Sequence, residues 1–204
     1  MPSPSTPASE RIVSAALDLA LERGWRRVSL ADIAARAGVP LAELVDEFPT
    51  RVHILDSYAG RIDRQMMAGT VEMTESPRDR LFEVVMRRFD AMAPHRAALA
   101  GILRDGGADP WALLCGARRL AKAMALTLET AGIPSGGLAG AIRTQGLAVV
   151  YLAVLRVFLE DDSADFARTM AALDKALRRA EDIAAMTCRR PAAAAPSASD
   201  PAPV

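Results

Sequence analysis

Between Ser29 and Leu55 the sequence SLADIAARAGVPLAELVDEFPTRVHIL carries punctuation that leaves room for little besides two short helices meeting at a sharp turn. Ser29 can accept an orphan backbone N–H as an N-cap, and Asp32 stands where a carboxylate favours a helix start. The apolar positions Leu30, Ile33, Ala34 and Ala37 recur at steps of three and four, so one face of this first helix is expected to be buried. Gly38 is suited to the left-handed backbone that stops a helix, and Val39 lies in the turn. Pro40, with fixed φ and no N–H to satisfy, suits the first turn of a second helix carrying Leu41, Leu44, Val45 and Phe48, which Pro49 closes.

Two short helices joined by a glycine turn form a helix-turn-helix, a motif whose second helix enters the major groove of DNA. The charge of this one conflicts with its shape. Between Leu41 and Phe48 there is no Lys or Arg, while Glu43, Asp46 and Glu47 place three carboxylates on the helix that should approach phosphates. Residues 1–60 hold six Arg, no Lys and eight Asp plus Glu, a net charge of minus two. Non-specific affinity for DNA comes largely from basic side chains releasing condensed counterions, so the second helix should repel the duplex unless its acids point away. Arg26 and Arg27 precede the first helix of the motif, and Thr50 and Arg51 open the helix after it, where backbone N–H groups and a guanidinium could hold phosphate. These four residues also fit an ordinary solvated surface.

The pattern is wider than the motif. It begins with Ile12, Ala15, Ala16, Leu19 and Gly24 on a preceding helix, followed by Trp25 and Val28-Ser29. It continues through Leu30, Ile33, Ala34, Ala37, Gly38, Val39, Leu44 and Phe48 to Thr50-Arg51. Over these residues the chain resembles the TetR family of one-component bacterial repressors. It departs from that family at Pro40, Val45 and Glu47, where hydrogen-bonding residues are usual. The resemblance implies an all-α protein of about nine helices, a cytoplasmic homodimer that binds double-stranded operator DNA and answers to a hydrophobic small molecule. The candidate DNA contacts are Arg26, Arg27, Ser29, Pro40, Leu41, Ala42, Thr50 and Arg51.

The expected organisation is a disordered N-terminus over 1–8, a helix-turn-helix domain over 9–55, a helical ligand-binding and dimerisation domain over 56–187, and a disordered Pro/Ala tail over 188–204. A fourth helix from Thr50, with Val52, Leu55, Tyr58, Ile62 and Met66, connects the two halves. Ser76-Pro77-Arg78-Asp79 opens a fifth that ends at Ala93-Pro94, and a short sixth runs to about Arg104. Asp109-Pro110 caps a seventh, the loop Gly132–Gly137 precedes an eighth over roughly Leu138–Leu159, and Asp162-Ser163 caps a ninth that reaches about Met186. Phe82, Met86, Phe89 and Leu103, with Leu114, Met124, Leu128 and Tyr151, are the candidate ligand-binding residues, because Met-rich surfaces adapt to apolar shapes. They also fit as plain core. On the ninth helix Phe166, Met170, Leu173 and Leu177 form a four-and-three seam, and Val150, Val154 and Phe158 stand on an eighth helix that is apolar nearly all round. Those seven are the expected dimer contacts, unless both faces are consumed inside one subunit.

A second resemblance covers residues 143–173. Arg143, Leu147, Ala148 and Tyr151, followed by Asp161, Ser163, Asp165, Phe166, Thr169 and Leu173, are similar to the C-terminal region of the TetR-like accessory proteins of ubiquinone biosynthesis. That likeness implies, as the alternative, an isoprenoid-lipid-binding accessory protein that no longer reads DNA.

Enzymatic readings find no support. The two histidines, His53 and His95, lack metal-ligand spacing, no triad can be assembled, and Asp161-Asp162 reads as a helix start. No metal or cofactor is expected. Cys115 reads as a buried small hydrophobe and Cys188 abuts the tail, so no disulfide framework is indicated. Met1–Ser9 lacks the apolar core of a signal peptide. The apolar run Gly146–Leu159 is broken by Arg156 and is shorter than the roughly twenty residues of a membrane span, so no transmembrane segment is expected. Equal numbers of basic and acidic residues, 25 of each, give no global attraction to polyanions.

Overall fold

A computed structural model of the chain describes residues 7–106 and 110–188. Among the described residues there are nine α-helices: α1 (Ala8–Arg23), α2 (Leu30–Ala37), α3 (Leu41–Glu47), α4 (Arg51–Met67), α5 (Pro77–Met92), α6 (Arg96–Gly106), α7 (Pro110–Thr130), α8 (Gly137–Leu159) and α9 (Ala167–Cys188). Single 3-10 turns at Trp25–Arg27 and Ala93–His95 join α1 to α2 and α5 to α6. The expected disorder at 1–8 and 188–204 falls mostly outside the described residues, as does the cap at Asp109, and the side chains of Cys115 and Cys188 also lie outside what the structure describes.

The first four helices form a small unit around Ile12, Ala16, Leu19, Ile33, Leu44 and Ile54, none more than 1% exposed. Trp25, Val28 and Phe48 close it. Its stops are those the sequence encodes: Ser29 caps α2, and Gly38 ends it at φ 66° and ψ 40°, a left-handed backbone that glycine adopts without steric cost. Pro40 is the N-cap of α3 rather than its first helical residue, and the helix ends at Glu47, one residue before Phe48.

The remaining helices pack around an aromatic column. Phe89 of α5 stacks almost parallel on Tyr151 of α8 with centroids 5.3 Å apart, and meets Phe158 at 4.8 Å. Phe158 in turn meets Phe166 at 5.4 Å. Helix α4 leads from the first unit into this body, packing on α5 and α7 as well as on α1. Arg87 holds its far end, donating to the carbonyls of Met66 and Thr70.

Three expectations for the body need correction. Helix α9 starts at Ala167, later than the Asp162-Ser163 cap implies, because Asp161 does the capping from a distance. Its carboxylate is buried and accepts from both the backbone N–H and the hydroxyl of Thr169, at 2.8 and 2.7 Å, and from the backbone N–H of Ser163 at 3.1 Å. The loop between then turns through Phe166 at φ 53°. Second, α8 is longer than its apolar run: at 23 residues it is long and apolar enough to cross a membrane by length and composition, yet it packs on α7, α9 and α6, with a third of its most apolar window buried. Third, Val154, Phe158, Leu173 and Leu177 are at most 4% exposed within the single chain, and Phe166 is engaged by Phe158. Most of the expected dimer seam is therefore core of one subunit. The apolar side chains that α8 turns outward are instead Leu138, Ile142, Val149 and Leu152, exposed by 81, 66, 63 and 46%.

Candidate nucleic-acid interface

Helix α3 presents its outer surface from a rigid base. Leu44 is fully buried and anchors it against α2, while Leu41 and Val45, one turn apart, are 46% and 38% exposed. Pro40, Ala42, Glu43, Asp46 and Glu47 are exposed around them. The surface that a major groove would meet thus offers two branched apolar side chains, a methyl group and three carboxylates. It has no side-chain donor.

The surrounding cations divide by whether they are already engaged. Ser29 and Asp32 form a reciprocal capping box: the Ser29 hydroxyl accepts from the Asp32 N–H at 3.1 Å, and the Ser29 N–H donates to the Asp32 carboxylate at 2.9 Å. The Ser29 hydroxyl also donates to that carboxylate, and these bonds hold the Asp32 carboxyl below the usual range. Arg36 makes a two-point pair with Glu22, binding α2 to α1. Arg26 faces away from the motif: its backbone N–H and its Nε donate to the Asp105 carboxylate and carbonyl at 3.2 and 3.0 Å, fastening the first unit to α6.

Arg51 is likewise turned inward. Its Nη1 donates to the carbonyls of Trp25 and Val28, both at 2.7 Å, and its guanidinium lies 5.1 Å from the centroid of the Trp25 ring. The first turn of α4 is thereby locked onto the segment before α2. Thr50 is the N-cap of α4, with its hydroxyl 2.8 Å from the His53 Nδ1. Among the described residues the Arg27 guanidinium makes no hydrogen bond or ion pair and the residue stays exposed, only its backbone N–H being engaged, by the Gly24 carbonyl. Of the four basic or hydroxyl candidates flanking the motif, Arg27 and Thr50 therefore remain open to solvent, while Arg26 and Arg51 brace the fold.

The second end of the coupling between the two halves is aromatic. Tyr58 of α4 sits edge-on to His95, with its hydroxyl 3.4 Å from Nδ1. Burial pushes the Tyr58 phenol up to about 12 and pulls the His95 imidazole below its ordinary value. Sequence periodicity had no signal for this pair, nor for Asp105, because each is brought in by a helix distant in sequence.

The candidate ligand residues do not converge on a single cavity. Phe89, Met124, Leu128 and Tyr151 are buried and in close packing, Phe82 and Met86 are half-buried beside them, and Leu103 and Leu114 are 51% and 54% exposed. Leu103 and Leu114 face solvent because α6 and α7 each bury the opposite face. Two shallow clefts lie elsewhere, one of about 440 Å³ between α1 and α4 around Tyr58, Arg61 and Arg64, the other between α1 and α6.

Residues 12–58 match the family model described as bacterial regulatory proteins, tetR family. That match spans α1 to the middle of α4 and contains the whole interface just described. The helix-turn-helix unit belongs to the TetR family. Solved structures extend the likeness to the body of the chain. A TetR transcriptional regulator from Nitrosomonas europaea is 23% identical, with 86% of this chain and 99% of that one covered and a TM-score of 0.71. A TetR regulator from Rhodococcus sp. RHA1 is 21% identical over 85% and 95%, with a TM-score of 0.63. NalD of Pseudomonas aeruginosa, the secondary repressor of the MexAB-OprM multidrug efflux pump, is 16% identical over 84% and 94%, with a TM-score of 0.56. At these identities the structures speak for the TetR-regulator fold. No curated relative matches the sequence.

Proposed function

We propose that this protein is a transcriptional regulator that binds operator DNA as a homodimer and releases or engages it in response to a small apolar or amphipathic ligand. The observation that carries this reading is the TetR-family helix-turn-helix over residues 12–58, with the outer face of α3 uncovered. The chemistry of that face defines the mode of reading. Leu41, Ala42 and Val45 suit van der Waals contact with thymine methyl groups, and Arg27 with the backbone N–H groups at the start of α4 suits phosphate. With few cations at the face, salt dependence should be shallow for a protein of this class. The exposed α8 stripe of Leu138, Ile142, Val149 and Leu152 supports pairing with a second copy, which would set the spacing of two α3 helices on DNA. Cytoplasmic location follows from this role.

The lipid-binding accessory role is the second reading, favoured by the three carboxylates on α3 and by the inward engagement of Arg26 and Arg51. Several residues that suggested it have structural duties. Arg143 donates to the Pro134 carbonyl, Asp161 staples α9, and Tyr151 belongs to the aromatic column.

Fluorescence anisotropy with the protein's own upstream DNA, random DNA and a salt series tests the proposal. Saturable binding at nanomolar concentration, at least about 10³-fold tighter than to random DNA, is the expected result. Equal affinity for both duplexes across its own and neighbouring promoters would overturn it and leave the lipid reading.

A further inference from the structure

The body of the molecule holds a buried charge cluster with more donors than acceptors. Asp63 of α4 is 4% exposed and takes two guanidiniums: Arg88 of α5 donates from Nη1 to Oδ1 at 2.6 Å, and Arg119 of α7 donates to Oδ2. The Arg88 side chain is 6% exposed and that of Arg119 17%. Asp56 lies 2.8 Å from the Arg119 Nε, but its side chain is 64% exposed and the Nε–H is not aligned on it. The Arg88 Nε and the Arg119 Nη1 are shielded from solvent with no acceptor. Buried donors are normally satisfied, and those on a cation most of all, so two such groups beside one shared carboxylate mark a place where an acceptor is wanted.

The neighbours of the cluster are mostly apolar side chains, with the buried hydroxyls of Tyr151 and Thr127 among them, the Thr127 hydroxyl 3.4 Å from the Met66 Sδ. The Arg88 Nη1 is 3.9 Å from the Met66 Sδ, and its guanidinium lies 5.8 Å from the centroid of the Tyr151 ring. Tyr151 stacks on Phe89 and donates its hydroxyl to the Met92 Sδ. Methionine repacks easily about its three rotatable bonds, so Met66 and Met92 are the side chains that can yield along the Phe89–Tyr151 wall.

We propose that this cluster is the headgroup half of an effector site and that the effector is an amphipathic carboxylate of the fatty-acid type. Its carboxylate accepts from the open N–H groups of Arg119 and Arg88, and its chain lies along the aromatic wall in place of the methionines. The partly exposed Arg119, beside Asp56, is the point of access. Because Asp63 belongs to α4, a carboxylate that competes with it for Arg119 loosens α4 from α7. The effector then favours a different placement of α4 and of the helix-turn-helix attached to it. This inference rests on the reading of the chain as ligand-responsive, and it concerns the chemistry of the ligand.

The test is calorimetric titration of the full-length protein with decanoate below its micellar range, with decan-1-ol as the neutral match, repeated on Arg119→Gln. Saturable decanoate binding is expected, with decan-1-ol at least about 10-fold weaker and the decanoate affinity falling at least about 10-fold in the variant. Equal affinity for acid and alcohol, no decanoate binding, or an unchanged affinity in R119Q overturns the proposal. Should R119Q fail to fold, Arg119→Lys keeps the charge and loses the planar fork, and it must still weaken decanoate binding. Anisotropy on the same preparations separates the two claims. Operator binding without decanoate binding removes only this one, and decanoate binding without operator binding removes only the regulator.

Discussion

Arg51 and Arg27 lie in the same stretch of sequence, and their surroundings give them different duties. Arg51 satisfies two carbonyls and covers the Trp25 ring, so it acts as a clamp between α4 and the segment before α2. Removing a charged donor from carbonyls it satisfies costs about 1.5–3 kcal/mol. Arg51→Ala should therefore lower unfolding stability by about 2 kcal/mol or more in urea titration, and a variant as stable as the parent would show that the clamp contributes nothing. Arg27, exposed and with no side-chain partner among the described residues, should behave oppositely. Arg27→Ala should leave stability within about 0.5 kcal/mol while reducing the slope of log affinity against log salt by about one. The sequence marks both as basic residues flanking a helix-turn-helix, but which carbonyls lie within reach of which guanidinium depends on how α1, α2 and α4 pack. Local pattern does not encode that.

Helix boundaries were legible where the capping partner is near in sequence and obscure where it is distant. The Ser29-Asp32 box, the Gly38 stop and the Ser76-Pro77 start of α5 are all contained within four residues and fall where the sequence puts them. The start of α9 depends on Asp161 reaching eight residues forward to Thr169, and the pattern Asp162-Ser163 pointed to the wrong cap. Burial alone would raise the Asp161 carboxyl, but the bonds from Ser163 and Thr169 outweigh it and hold the group well below the usual carboxylate range. A carboxyl depressed in the folded state stabilises it above the unfolded pKa of about 3.9, and that stability is lost as pH falls below this value. Asp161→Ala strands two buried donors of Thr169 and should cost about 2 kcal/mol at neutral pH. The gap between parent and variant should narrow on acidification below about pH 4 in pH-dependent denaturation. A gap that stays constant to pH 2 would show that the carboxylate charge has no part in the staple.

At the scale of the whole molecule the open question for sequence reading was which face of α8 belongs to the interior. A helix apolar all round gives no periodic signal, so Val154 and Phe158 were as eligible for a partner as Leu138 and Val149 until α5, α7 and α9 were in place. Packing turns Tyr151 and Phe158 onto Phe89 and buries Val154, and it leaves Leu138, Ile142, Val149 and Leu152 in a stripe along the outside at steps of four, seven and three. Such a stripe repeats the a/d geometry of a helix seam, and a two-fold axis through it would bring the same residues of a second copy into register. Charge placed there should be felt only by the assembly, because no side chain of the same subunit covers the stripe fully. Ile142→Glu with Val149→Glu should keep the helical circular dichroism and the unfolding midpoint of an isolated subunit, yet sediment as a monomer where the parent sediments as a dimer. Operator affinity should fall with it by more than about 100-fold, since two linked reading heads gain from the high effective concentration that linkage gives the second contact. If the double variant remains dimeric, the pairing surface lies elsewhere, and the outward apolar face of α8 must be explained by another partner.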